Sequence, residues 1–326
     1  MRLPHRRQFL HLAAGAAALP AVSRVAWAQT YPSRPVRIIV GYVAGGGTDI
    51  VARLIGQWLS DRLGRPFIVE NRAGANSNIA TEAVVRAPPD GYTLFVMDSA
   101  PALNATLYDK LTFNFIHDIA PVSGIASQPV VMVLNPSLDA KTVSEFITYA
   151  NANPGKVNMA SGGIGNITHL SGELFKMMAG VNMVHVPYRG GGAALTDLLG
   201  GQVQVLFTGL LSAIEYIRVG RLRALAVTSA TRSNALPDIP SLSEFLPGYE
   251  ADDWKGIGAP KGTPVEVIAK LNEGINAALA DPKMKARLAD LGGTPLPGSP
   301  ADFGKFITAE TEKWGKVIRA ANIKAE

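Results

Sequence analysis

The feature that most constrains the fold is a repeated local order: a short β-branched run, a glycine-rich turn, then a stretch with helical apolar spacing. Val36-Arg37-Ile38-Ile39-Val40 is such a run, ended by Gly41 and the Gly45-Gly46-Gly47 cluster. Ile50, Val51, Leu54, Ile55, Trp58, Leu59 and Leu63 follow on one face of a helix, and Gly64 stands where a left-handed cap would end it. Repetition of this unit along the chain predicts an α/β fold.

Further strands are expected at residues 66–69 and 92–97. A second series opens near Pro129, with strands at 130–134, 157–160, 183–186, 203–207 and 222–227. Helices are expected at 142–150, 168–178 and 193–199, the first with a Thr142/Glu145 capping box. Beyond Asp252-Asp253-Trp254 the texture becomes mostly helical. Thr263-Pro264-Val265-Glu266 and Ser299-Pro300-Ala301-Asp302 each place a cap, an N1 proline and a capping-box acid ahead of a helix. Two α/β series in 326 residues predict two lobes, residues 31–130 with 257–326, and residues 131–256.

The absence of cysteine excludes a disulfide scaffold, an iron–sulfur site and a thiolate zinc site. Charge looks basic, with 31 Lys+Arg against 26 Asp+Glu, but Arg2, Arg6, Arg7 and Arg24 lie in the first 28 residues, which carry no acid. The remainder holds 27 bases against 26 acids, so no nucleic-acid-seeking surface is expected. The same N-terminal segment joins Arg6-Arg7 to an alanine-rich apolar stretch and then Ala26-Trp27-Ala28. That layout is an export signal, cleaved before Gln29, and the arginine pair favours the twin-arginine route. The apolar run is too short for a membrane anchor, which needs about 20 residues.

Catalytic patterns are scarce. His117, His169 and His185 show no metal-ligand spacing, and no G-x-S-x-G or S-x-x-K motif marks a nucleophilic serine. His169, near a helix start, and His185, in an apolar strand, read as structural. Asp252-Asp253 reads as an exposed turn rather than a paired-carboxylate site. No catalytic residue, metal or cofactor is expected.

Four small-residue loops follow strands and precede helices: residues 44–49, 161–166, 188–192 and 208–209. Glycine lets a ligand approach the backbone, and unpaired N–H groups at a helix start favour an anion. One such loop in each lobe makes an anion clamp. The first loop imitates a dinucleotide unit but has Ile50 where the fingerprint needs a third small residue. Thr168 occupies the corresponding place in the second, and no Gly-Lys-Ser/Thr phosphate loop exists.

Eight motifs in order carry a resemblance. They are Tyr31-Pro32-Ser33-Arg34-Pro35-Val36, Ala44-Gly45-Gly46-Gly47-Thr48-Asp49, Val69-Glu70-Asn71-Arg72-Ala73-Gly74-Ala75 and Pro89-Asp90-Gly91-Tyr92-Thr93-Leu94. Then come His169-Leu170-Ser171-Gly172-Glu173-Leu174-Phe175, Val186-Pro187-Tyr188-Arg189-Gly190, Asp197-Leu198-Leu199-Gly200-Gly201-Gln202 and Ala259-Pro260-Lys261-Gly262-Thr263-Pro264. Together they resemble the Bug family of tripartite tricarboxylate transporter substrate-binding receptors.

The resemblance implies a two-lobed periplasmic binding protein of the type II-like kind, with a small carboxylate or dicarboxylate between lobes joined by crossing strands. It assigns the grip to Gly46, Gly47, Thr48 and Asp49, opposed by Ser161, Gly163, Gly165, Asn166 and Thr168. Tyr42, Ser99, Tyr188 and Thr208 complete the candidate set, and Ile164 joins Tyr42 as a candidate for the variable wall. The chain has Asn76 where family members usually carry a second glycine. The implied partners are that ligand and membrane transporter subunits or a sensing partner, with a monomeric receptor. The alternative is an exported α/β enzyme such as a hydrolase; a scaffold module leaves the opposed glycine loops unexplained.

Protein recovered from a periplasmic extract should begin at Gln29 when sequenced, and a species beginning at Met1 would contradict export. Replacing Arg6 and Arg7 by Lys should hold the precursor in the cytoplasm. Unchanged export of that variant would assign the general secretory route instead.

Overall fold

The computed structural model describes residues 31–325 apart from position 189 and the side chain at 211. The segment expected to be an export signal, with its expected cleavage before Gln29, lies outside the described residues. β1 (Val36–Val40) runs parallel to β2 (Phe67–Asn71) and β3 (Thr93–Asp98), with α1 (Gly47–Leu63) and α2 (Asn78–Val85) as the crossovers. Gly64 ends α1 at φ 70°, its N–H on Ser60 O at 3.0 Å. α3 (Ala100–Leu107) and α4 (Phe115–Asp118) lead into β4 (Ile119–Leu134), a strand of 16 residues.

β4 joins two sheets. Its first part pairs antiparallel with β9 (Asp252–Pro260), and its second with β7 (Val205–Gly209) and β8 (Arg223–Val227). β5 (Asn158–Ser161) lies parallel to both β6 (Val184–Pro187) and β7, giving the order β2-β1-β3-β9-β4-β7-β5-β6. α5 (Val143–Ala152), α6 (Ile167–Ala179), α7 (Gly191–Leu199) and α8 (Leu210–Arg218) belong to the second half. α9 (Val265–Ala280), α10 (Pro282–Asp290), the short β10 (Thr294–Pro295) and α11 (Pro300–Ala320) close the chain.

The chain passes between the halves near Pro129 and again near Ala251. Thr228 binds the two passages together. Its hydroxyl accepts from Val130 N–H at 2.9 Å and donates to Ala251 O at 2.7 Å, and its own N–H reaches Val130 O at 2.9 Å. Among the described residues β9 pairs with β3 and with the first part of β4, so residues 252–256, expected in the second lobe, lie in the sheet of the first. Asp252 and Asp253 are therefore strand residues, not an exposed turn. The strand contains Gly256-Ile257-Gly258 and so lacks a β-branched run. Gly256 is required by packing, since an added Cβ would lie 2.1 Å from Phe303 Cζ.

α11 also departs from the expected division. Phe303 and Ile307 pack with Ile39, Phe95 and Trp254 in the first half. Trp314, Val317 and Ile318 join Leu103 and Leu107 of α3 in the core formed by Met132, Phe146, Phe175 and Phe207 of the second. Both helices thus bridge the halves. Ser299 and Asp302 form the expected reciprocal cap. Thr263 does not cap α9, because its hydroxyl donates to Pro260 O at 2.7 Å. Thr142 caps α5, but Glu145 reaches back to Lys141 N–H rather than to Thr142. No helix among the described residues is long and apolar enough to cross a membrane.

Replacing Thr228 by Val keeps the volume but leaves Val130 N–H buried without its acceptor, a loss of about 1–3 kcal/mol. The variant should unfold at lower urea concentration with an unchanged slope. An unchanged midpoint would show that the crossing does not depend on this hydroxyl.

Candidate functional site

Parallel α/β sheets present ligands to the loops after their strands. The loops after β1 and β3 meet the loop after β5 around a chamber of about 320 Å³. Tyr42, Gly46, Gly47, Thr48 and Ser99 line one side, with Val43, Asn76, Asp98 and Ala100; Asn166, Ile167 and Thr168 line the other, and Asp253 lies on the wall. A second chamber of about 180 Å³ shares Gly47, Thr48 and Asp253 and adds Gln128, Lys255, Leu210 and Ser212. A larger outer groove of about 520 Å³, between α4 and α11, contains none of the glycine loops.

Two helix N-termini face the first chamber. α1 begins after Gly46 without a side-chain cap, so its first-turn N–H groups have no acceptor within the helix. α6 begins after Asn166, whose Oδ1 accepts from His169 N–H at 3.0 Å, leaving the first turn's Ile167 and Thr168 N–H groups without an intrahelical acceptor. Gly47 has no positive φ, and an added Cβ there would find only Lys255 Cε, at 4.0 Å. The space before it is open.

The other sequence-selected residues act behind this surface. Asp49 is buried, its carboxylate held by Arg53 through bonds of 2.9 and 3.0 Å, by Gly45 N–H at 2.9 Å and by Asn71 at 2.9 Å. Burial raises its pKa, but the Arg53 and Gly45 bonds outweigh burial and bring it to about 2. It therefore fixes the loop and does not face the chamber. Ser161 is buried, with its hydroxyl 2.7 Å from His185 Nε2 and 3.0 Å from Gly163 O. Gly163 and Gly165 supply the left-handed turn at φ 140° and 73°. Gly165 N–H is committed to His169 Nδ1 at 3.0 Å, and an added Cβ would strike Leu107 at 2.5 Å.

Thr168 lines the chamber, yet its hydroxyl donates to Asn166 Oδ1 at 2.7 Å and accepts from Gly162 N–H at 3.0 Å. Tyr188 turns to Asp197, its hydroxyl donating at 2.7 Å; burial and that carboxylate push its pKa to about 12. Thr208 is buried at the end of β7, and Ile164 is half-buried; neither lines the two chambers. His169 and His185 stack at 3.6 Å beneath the Ser161 loop. Burial, then the neighbouring His169, lowers the His185 pKa to about 4, leaving it neutral near pH 7.

Sequence reasoning missed a polar cluster on the wall. Asp98 ends β3 with its carboxylate buried; Oδ1 accepts from Ala100 N–H at 3.1 Å, and Thr48 Oγ1 lies 3.5 Å from Oδ2. Burial, reinforced by Asp253, pushes its pKa up to about 6 against the pull of Lys255 and the Tyr42 hydroxyl. Lys255 is almost wholly buried and donates to Asp253 at 2.9 Å and Gln128 at 2.8 Å. Ser99 donates to the other Asp253 oxygen at 3.1 Å. Asp253 and Lys255 share one face of β9 by the two-residue strand period, a signal visible only once that strand is recognised. Asn76 reaches the chamber from a segment in which Ala75, Asn76 and Ser77 all have positive φ, held by Asn104 bonds to Asn76 O and Asn78 Oδ1.

Comparison with known proteins follows the same line. Residues 51–323 match the model of the tripartite tricarboxylate transporter family receptor. BugT of Bordetella pertussis is 38% identical over 300 residues, covering 91% of this chain and 92% of that protein. The structure is similar to that of R. palustris Rpa4515 with adipate, at 35% identity and a TM-score of 0.82, covering 90% and 99% of the two chains. It is also similar to MatC from Rhodopseudomonas palustris with bound malate, at 32% identity and a TM-score of 0.76, covering 88% and 100%. The chain belongs to the receptor family of the tripartite tricarboxylate transporters.

Proposed function

We propose that the protein is a periplasmic solute receptor that captures a small carboxylate between its two halves and returns it unchanged to a membrane transporter of the tripartite tricarboxylate type. The observation that carries this reading is the pair of helix N-termini, α1 and α6, on opposite sides of one chamber. Each such terminus favours an anion by about 0.3–1 kcal/mol when exposed and by up to about 2 kcal/mol when partly buried. The adipate and malate held by Rpa4515 and MatC are the ligand class this geometry suits. Gly46, Gly47, Thr48, Ile167 and Thr168 supply backbone donors, while Tyr42, Ser99 and Asn76 shape the remaining wall.

The lobes would move about the Thr228 crossing, and closure would exclude water and strengthen each hydrogen bond to the ligand. Asp49, Ser161, Gly163, Gly165 and the Thr168 hydroxyl keep the loops in shape and would affect affinity through position. The receptor would act as a monomer after removal of its N-terminal signal. Reversible binding needs no nucleophile and no cofactor, so a turnover assay on esters and amides should show none.

A thermal-shift panel tests the ligand class. A small carboxylate at 100 times its Kd should add about 2.7 kcal/mol of stability, whereas sugars and nucleotides should leave Tm unchanged. Gly47→Val places a side chain in open space without backbone strain, so it should fold normally and weaken carboxylate binding at least tenfold. Undiminished affinity in the folded variant would remove the ligand from the α1 N-terminus.

A further inference from the structure

The Asp98 carboxylate is a buried charge with no ion-pair partner among the described residues. The cation beside it, Lys255, is already bonded to Asp253 and Gln128. Asp98 and Asp253 thus both line the chamber, while the one ammonium beside them, Lys255, is bonded to Asp253 and lines the neighbouring chamber; the helix N-termini close by independently point to an anionic ligand group. A ligand with two carboxylates would bring a second negative charge against this wall. A ligand with a protonated nitrogen would instead give Asp98 the counter-charge that the protein withholds, and a buried charge is costly until it is paired.

We propose that the ligand is an amino-carboxylate zwitterion, whose carboxylate is held at the α1 and α6 N-termini and whose ammonium is recognised by Asp98, with Asp253 beside it. The inference rests on the carboxylate-receptor reading and narrows it. The two grips are close together. Thr48 belongs to the first turn of α1, and its Oγ1 lies 3.5 Å from Asp98 Oδ2, so a short carbon chain separates the ligand's two charged groups. The titratable groups facing Asp98 are Tyr42 from the loop after β1 and Asp253 and Lys255 from β9. Asp98 is thus the specificity-determining residue of the chamber.

Isothermal titration of the mature protein with two length-matched series tests this: 4-aminobutyrate and 5-aminopentanoate against succinate and glutarate, each at pH 7.5 and 5.5. The amino acids should bind more tightly than the diacids at pH 7.5. Their Kd should rise about fourfold at pH 5.5, because the ammonium requires ionised Asp98, which titrates near pH 6. Asp98→Asn retains an acceptor for Ala100 N–H and should abolish both the pH effect and the preference for the amino series, with folding checked by Tm. Tighter diacid binding that strengthens as the pH falls through 6 would make Asp98 a protonated donor to a second carboxylate. That result overturns the inference and leaves the receptor reading intact, as would equal binding of both series. No binding by either series would overturn the receptor reading and the inference with it.

Discussion

Everything in this structure depends on β4 serving two sheets. Its first part completes the sheet that holds β1 and β3, and its second completes the sheet that holds β5 and β7. One continuous ladder therefore sets how the loops after β1 and β3 stand relative to the loop after β5. Beside it, β9 runs antiparallel to both β3 and β4, and its two-residue alternation divides its side chains between faces. Asp253 and Lys255 reach the cleft, while Trp254 packs edge-on against Phe303 and Phe306 of α11. β9, laid against the first part of β4, thus brings Asp253 and Lys255 to the cleft.

The loops that meet there are rigid because their own polar groups are satisfied internally. Arg53 and Asn71 hold Asp49 and, with it, Gly45; Thr168 and Asn166 hold Gly162 and His169. What remains for a ligand is the backbone at the start of each helix. Such a grip is indifferent to everything but a compact anion, so it cannot tell one carboxylate from another. In the proposed reading discrimination would fall to the walls, which Tyr42, Asn76, Asp98 and Asp253 line. α3 and α11 are packed into the cores of both halves.

The sequence made some of this legible and hid the rest for physical reasons. Strands β1, β3, β7 and β8 advertise themselves through β-branched or apolar runs, and α1 through its stripe and Gly64. The first part of β4 reads Ile-Ala-Pro-Val-Ser-Gly, and its ladder shifts register between Pro121 and Ser123 and again between Gly124 and Ala126. Such a segment has no strand signature, because its form comes from β9 rather than from local preference. The loops at 44–49 and 161–168 were found because helix starts and glycine clusters are local signals. Within them, the difference between Gly47, which faces open space, and Gly165, which packs on Leu107, lies in tertiary contacts alone. Asp98 and Lys255 were missed for the same reason: each lies in an apolar or glycine-containing strand, and only the fold shows that they share a wall.

The central claim is that one ligand is held simultaneously by the starts of α1 and α6. Amide NMR of uniformly 15N-labelled, deuterated protein titrated with succinate or 4-aminobutyrate tests it most directly. The account predicts that the N–H resonances of Gly47, Thr48, Ile167 and Thr168 move together along one saturation curve. Shifts confined to one of the two loops, or centred on the outer groove beside Phe115 and Lys305, would contradict it.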